Sequence, residues 1–222
     1  MFIELVDSLR CLTPHEDTWL VAAVARMAGR HIIEGTLGCP VCRREYPVRD
    51  GVGWFAPPSP GDVEPIVESL APTPDTDRVA RAAALLGLAD PGGIVVLGGG
   101  WGDCAEALAE LGPAHVVVLD GAPPPGSRPE ISSLRVGDRL PFAAGAVRAI
   151  ALGPGVTGIS AGVDDTLLAS AAHALRARGR LVAPSNAAVP GDVVELARDE
   201  ADWVAERRVV ASPPITLRSA RR

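Results

Sequence analysis

At 222 residues, 47% of them hydrophobic, the chain can bury the core of one good domain plus a small one. Its net charge of −6 argues against a general nucleic-acid or anionic-membrane surface, and no apolar run approaches the ~20 residues of a membrane span. All 21 basic residues are arginine, which excludes a P-loop lysine, a pyridoxal Schiff base and a Tyr-Lys dehydrogenase pair, since each needs a lysine amine.

In chain order, Glu4 and Asp7 interrupt the first apolar run, so no secretory signal is expected and the expected location is cytoplasmic. Cysteines stand at 11, 39, 42 and 104. Cys39-Pro40-Val41-Cys42 is a CxxC pair between Gly38 and the strand-like Glu45–Val48, a setting that fits a zinc knuckle better than a redox pair opening a helix. A tetrahedral site needs four ligands, and the nearest further candidates are Cys11 and His15. The expected structural zinc site is therefore Cys11, His15, Cys39 and Cys42. The alternative is a buried Cys11 thiol, with His15 at a helix start beside Glu16 and Asp17. Thr18–Met27 is expected to be an apolar helix.

The run from Gly35 through Cys39-Pro40-Val41-Cys42 and Tyr46-Pro47-Val48 to Asp50-Gly51-Val52 resembles the C-terminal half of small zinc-ribbon proteins. Those proteins are activating partner subunits of tRNA, rRNA and protein methyltransferases. The resemblance covers about the first fifty-five residues. It departs from the usual pattern at the first knuckle, where His15 replaces a second cysteine. It implies a protein partner reached through this module.

Residues 57–77 carry prolines at 57, 58, 60, 65, 72 and 74 and read as a linker or extended arm. The expected division is thus a ribbon at 1–56, a linker at 57–77 and a larger domain at 78–222. Asp75 or Thr76 can cap a helix over Asp77–Leu88.

Next comes a strand, glycine turn, helix, strand, acid unit. Ile94–Leu97 is a β-branched run of buried-strand type, followed by Gly98-Gly99-Gly100-Trp101-Gly102. Asp103–Leu111 reads as a helix stopped by Gly112-Pro113, and Val116–Leu119 as a strand delivering Asp120. Backbone N–H groups beside glycines and a carboxylate at the next strand end suit a nucleotide-like ligand. The glycines alone fit two motifs: Gly98-x-Gly100-x-Gly102, or a relaxed dinucleotide fingerprint Gly100-x-Gly102-x-x-Ala105.

Downstream, Ala122–Pro129 is expected to be a loop, Leu134–Val136 and Ala146–Leu152 strands, Asp164–Arg178 a helix capped by Gly179, and Arg180–Ala183 a strand. Val193–Asp199 is expected to be the last helix, with closing strands at Trp203–Val209 and Ile215–Leu217. Gly137-Asp138, Leu140-Pro141-Phe142 and the run Leu168–Val182 ("L-x-x-A-x-x-A-L-R-A-R-G-R-L-V") resemble corresponding passages of class I S-adenosylmethionine (SAM) methyltransferases over about residues 78–218. The resemblance implies an α/β, Rossmann-like doubly wound and mostly parallel sheet, with a small α+β ribbon module at its N-terminus. It implies SAM bound by Gly98, Gly99, Gly100, Gly102, Asp120 and Asp138, with Asp138 accepting the adenine amine. It also marks a departure: the family usually has an acid two residues before its first glycine, where this chain has Val96.

No acid/base pair can be nominated. His173 reads as a surface residue, and Cys104 and His115 as structural. The functional expectation is a SAM-dependent methyltransferase-like protein with a structural zinc. A non-catalytic, partner-binding scaffold on a degenerate methyltransferase fold is the alternative. The ribbon is expected to pack in cis against the larger domain.

Overall fold

A computed structural model describes residues 1–56, 75–112, 115–121, 130–156 and 163–209. Its first ten residues form no strand but a 3₁₀ segment, Ile3–Ser8, that carries Leu5, Val6 and Leu9 into the core. β1 (Val21–Ala28) and β2 (His31–Gly38) are an antiparallel hairpin turning at Gly29, whose φ of +57° favours glycine. β2 pairs with β3 (Glu45–Arg49), and β3 with β4 (Val52–Trp54), both antiparallel.

After α1 (Thr76–Leu86) come β5 (Ile94–Gly98), a 3₁₀ turn over Gly99–Cys104, the short α2 (Ala105–Ala109) and β6 (His115–Leu119). They are followed by β7 (Ile131–Arg135), β8 (Val147–Leu152), α3 (Asp165–Ala174), β9 (Leu175–Pro184), β10 (Val193–Arg198) and β11 (Asp202–Arg207).

The described strands make one eleven-stranded sheet, ordered β1-β2-β3-β4-β7-β6-β5-β8-β9-β11-β10. From β4 to β9 every pairing is parallel; β11 is antiparallel to both of its neighbours. Strand order reverses between β5 and β8, the point at which open α/β sheets have their crevice. This is a doubly wound, mostly parallel α/β sheet, and the N-terminal strands β1 to β4 extend it without a break. The junction is the parallel ladder Val52–Ser133, Gly53–Leu134 and Trp54–Arg135.

The parallel strands are buried on both faces because both faces are covered. α1 and α2 lay Ala82, Leu86, Ala105 and Leu108 over Val95, Leu97, Val116 and Val118. The opposite face packs α3 (Leu167, Leu168, Ala171) and the N-terminal Met1, Leu5, Val6 and Leu9 with Val96, Val117 and Ile150. Each such buried Val or Leu stabilises the fold by about 1.5–3 kcal/mol. An antiparallel bridge from Leu9 to Phe142, with Arg10 N–H donating to the Pro141 carbonyl at 2.8 Å, fastens the first segment beyond β7. Arg148, 6% exposed, closes the α1–β5 connection by donating to the carbonyls of Gly87 and Gly92, each at 2.8 Å, and to that of Asp90.

Several expected elements differ. The apolar helix over Thr18–Met27 is strand β1: Val21, Val24 and Met27 are exposed, so their helical spacing marks no buried face, and pairing with β2 outweighs alanine's helix propensity. The expected helix Val193–Asp199 is instead strand β10 (Val193–Arg198), turned back onto β11 by Asp199, whose Oδ1 accepts the N–H groups of Ala201 and Asp202, both at 2.9 Å. The helix from Asp164 ends at Ala174, four residues short of Arg178, and β9 starts at once. Between Gly98 and Ala109 only five residues are α-helical. The linker through residue 74, the Ala122–Pro129 loop and the Ile215–Leu217 strand lie outside the described residues.

Candidate functional site

Two groupings of chemistry-bearing residues emerge, a metal-type cluster in the ribbon and the carboxyl edge of the central strands. The cluster is assembled by two loops. Residues 11–18 are closed by Cys11 N–H donating to the Thr18 carbonyl (3.2 Å) and by a bridge from Arg10 to Trp19. The β2–β3 knuckle is closed by Arg43 N–H to the Cys39 carbonyl (3.0 Å) and Cys39 N–H to the Arg44 carbonyl (2.9 Å), with Arg43 at φ +60°. Together they bring one donor atom each from Cys11, His15, Cys39 and Cys42 within 4.8 Å of one another.

Cys11 Sγ lies 3.6 Å from Cys42 Sγ, and Cys39 Sγ lies 3.4 Å from His15 Nε2. A tetrahedral zinc with Zn–S of ~2.3 Å and Zn–N of ~2.0 Å separates its donors by about 3.5–3.8 Å. The spacing therefore fits the ion, and three thiolates with one imidazole is a donor set zinc favours. All four cysteines of the chain are free, and 3.6 Å is far beyond a disulfide bond. His15 Nδ1 sits 2.6 Å from the Glu16 carbonyl, a contact that fixes Nδ1 as the protonated nitrogen and leaves Nε2 as the donor.

The local field favours a thiolate at Cys11, while desolvation raises the Cys39 thiol. Desolvation raises the Cys11 thiol, but hydrogen bonds from Tyr46, Thr13 and His15 more than offset it and bring the group to about 6. Hydrogen bonding to Glu16, then to Cys11 and Cys42, raises His15 to about 9. A metal entering the cluster takes the place of these protons.

At the carboxyl edge, Gly98 is in register with Leu119, so the glycine turn and Asp120 are neighbours. Asp120 adopts φ +54°, its Oδ1 accepts the Val136 N–H at 3.1 Å, and its carbonyl accepts from the Arg135 guanidinium at 2.5 Å. Asp138 lies three residues beyond β7 and is exposed.

The glycines are packed by the chain itself. A Cβ on Gly98 would lie 2.7 Å from Val156 Cγ2 and 3.2 Å from Leu152 Cδ2. One on Gly99, at φ +61°, would meet the carbonyls of Gly153 and Pro154, and one on Gly100 would lie 2.9 Å from the Arg78 guanidinium. A Cβ on Gly102 would lie 3.1 Å from Val118 Cγ1. Arg78 donates to the Gly100 carbonyl at 2.5 Å and lies 3.7 Å from Asp103. Between α1 and this turn lies a cleft of about 280 Å³, bounded by Arg78, Arg81, Trp101, Pro154 and Asp202. Ordinary ligand pockets run from ~300 to 1,000 Å³.

Val96 is fully buried, in register with Val117 and Ile150. The end of β8 continues as Gly153-Pro154-Gly155-Val156, which offers no acid or base. His173 is exposed, and Cys104 and His115 are buried. Sequence reasoning missed Tyr46, Arg78 and Arg135 as site residues, because each acts on a partner 22 or more residues away or through a backbone carbonyl. The tyrosine beside the knuckle was the one available signal.

Residues 16–51 match the family model described as Trm112p-like protein, and no curated protein matches significantly. Among solved structures, the chain resembles geranyl diphosphate C-methyltransferase from Streptomyces coelicolor A3(2), in complex with Mg2+, geranyl-S-thiolodiphosphate and S-adenosyl-L-homocysteine. Identity is 21% over 48% of this chain and 42% of that one, with a TM-score of 0.38 or below across such complexes and 0.37 here. It also resembles a putative sarcosine dimethylglycine methyltransferase from Galdieria sulphuraria (16% identity, 48% and 44% covered, TM-score 0.38). A third is an S-adenosylmethionine dependent methyltransferase from Mesorhizobium loti (20%, 59% and 75%, TM-score 0.35). The chain spans less than half the length of the geranyl diphosphate methyltransferases it matches.

Proposed function

We propose that this chain is a SAM-binding, methyltransferase-like protein, with a zinc-ribbon module at 1–56 joined through 57–77 to a methyltransferase-type domain at 78–222. The observation that carries the reading is the adjacency of the β5 glycine turn and Asp120 at the switch point of the sheet. In this reading Asp120 accepts the ribose hydroxyls, the backbone of Gly98, Gly99, Gly100 and Gly102 lines the methionine end, and Asp138 accepts the adenine amine. Cys11, His15, Cys39 and Cys42 hold a structural zinc. The five-residue α2 adds little dipole to that site, so the Arg78 guanidinium is the better group for a carboxylate.

SAM, when bound, supplies an activated methyl sulfonium. The chain's own residues orient it and exclude water, which suffices for an acceptor that is already a good nucleophile. The bare glycine-proline end of β8 fits such a positioning role.

In the ribbon, Trp19 (60% exposed) and Val21 (62%) on and beside edge strand β1 are the apolar surface for a protein partner. No described helix is long and apolar enough to cross a membrane. Four free thiols accord with a reducing, cytoplasmic setting.

A second reading, the partner-binding scaffold, is favoured by two observations: Val156, Pro154 and Arg78 fill the space beside the glycines, and Val96 stands where the acid is expected. Calorimetric titration separates the two. SAM or its demethylated product binds at or below millimolar concentration if the first reading holds, and Asp120→Ala then weakens binding about ten- to a hundredfold through lost charge-assisted hydrogen bonds. Binding of neither ligand leaves the scaffold.

A further inference from the structure

Tyr46 stands between the metal-type cluster and the parallel ladder that joins the ribbon to the larger domain. Its hydroxyl oxygen accepts the Leu12 N–H at 2.9 Å and lies 3.4 Å from Cys11 Sγ. With the amide donating to that oxygen, the phenol proton is directed at sulfur. Thr13 N–H adds a second donor to Cys11, at 3.5 Å. The Tyr46 side chain is 2% exposed, and its ring stacks on Phe55 with centroids 4.7 Å apart.

Phe55 directly follows β4. Its N–H donates to the Arg135 carbonyl at 2.8 Å, and the Ala56 N–H does so at 3.2 Å. Arg135 in turn donates to the Asp120 carbonyl, and the next residue, Val136, donates its N–H to Asp120 Oδ1. A chain of direct contacts therefore runs from a metal-ligand sulfur to the acid at the end of β6.

We propose that Tyr46 is the outer-sphere positioning residue of the zinc centre, and that through Phe55 it couples filling of that centre to the hold on Asp120. The phenol fixes the Cys11 sulfur toward the ion and stabilises its negative charge. A bound ion in turn pins the sulfur, the phenol and the ring that stacks on Phe55. When the ion leaves, the stack loses its anchor, and the end of β4 loosens from Arg135. The consequence for SAM rests on the function proposed above; the coupling itself does not.

Tyr46→Phe in the full chain tests the outer-sphere role, because it keeps the stacked ring and removes only the O–H. Zinc and cobalt(II) affinities, read by chelator competition, should fall roughly 10–100-fold, the usual effect of an outer-sphere loss. The thiolate-to-cobalt charge-transfer band should also shift. Unchanged affinity together with an unshifted band overturns the assignment.

Hydrogen exchange on the unmodified chain, zinc-loaded and then chelated, tests the coupling and needs no variant to fold. Protection of the Phe55, Ala56 and Val136 amides should fall on chelation while the β5–β6 ladder keeps its own. Unchanged protection at those three amides overturns the coupling, as does uniform loss throughout the sheet. Neither measurement involves SAM, so failure here and failure of the cofactor reading are separate results.

Discussion

Gly98 and Val156 are in such close contact that a Cβ on the glycine would lie 2.7 Å from Val156 Cγ2. The first glycine of the turn is therefore a packing requirement of the fold, whatever else it serves. Gly98→Ala should destabilise the protein by about 1–3 kcal/mol, the usual cost of forcing a methyl group into a packed site. Val156→Ala in the same chain should recover part of that loss by making room. Thermal melts of the single and double variants check this. A Gly98→Ala protein that melts like the parent and loses only SAM binding would assign the glycine to the ligand instead.

Val96 bears on whether the missing acid can be restored. It is fully buried between Val117 and Ile150, with no polar partner in register. Val96→Asp buries a carboxylate in apolar surroundings, at a cost of roughly 3–5 kcal/mol or a strongly raised carboxyl pKa. The variant should unfold at markedly lower urea concentration than the parent. Parent-like stability with improved SAM affinity would show that the turn can reorganise around an acid.

The unit from Ile94 to Asp120 was legible in the sequence because its signals are local: β-branched runs for strands buried on both faces, glycines between them, and an acid at the second strand's end. The knuckle was legible from Cys39 and Cys42 for the same reason. β1 and β10 were not. Ala22, Ala23 and Ala25 favour helix locally, and only pairing with His31–Gly38 makes that segment a strand. For β10 the decisive signal was the Asp199 turn rather than the apolar pattern. The crowding of Gly98 by Val156 and the reach of Tyr46 to Cys11 join residues 58 and 35 positions apart, and no local pattern encodes such contacts.

Metal removal should act first on the ribbon. The 11–18 loop and the knuckle meet at the Cys11, His15, Cys39 and Cys42 cluster, and a structural zinc contributes on the order of 10 kcal/mol to folding a module of this kind. Elemental analysis of protein purified without chelator should find one zinc per chain. Chelation should lower the melting temperature substantially, and Cys39→Ser should reproduce the effect without chelator. Metal-free protein with a parent-like melt would remove the structural role.

Burial of His115 makes the stability of the fold depend on pH. This residue is 5% exposed, its ring stacks on Phe2 at 5.1 Å, and its Nε2 lies 2.8 Å from Ser132 Oγ. Ser132 Oγ also accepts the Phe2 N–H at 2.8 Å, so its own proton points to Nε2, and the neutral ring carries its hydrogen on Nδ1. That Nδ1–H has no partner among the described residues, and a second proton would go on Nε2, where Ser132 would have to turn its own proton away to accept it. Desolvation, followed by repulsion from His31 and the N-terminal ammonium, lowers the group to about 4. In the unfolded chain a histidine titrates near ~6.5. Between those values the unfolded state binds more protons, so stability is full above pH ~6.5 and falls as the pH drops toward 4, by about 3 kcal/mol in all. Urea midpoints of zinc-saturated protein, taken stepwise from pH 7.5 to about 4, should trace that loss. His115→Gln cannot titrate, and the difference between parent and variant isolates this group from the metal ligands. Identical pH profiles for the two proteins would show that His115 is not the group responsible.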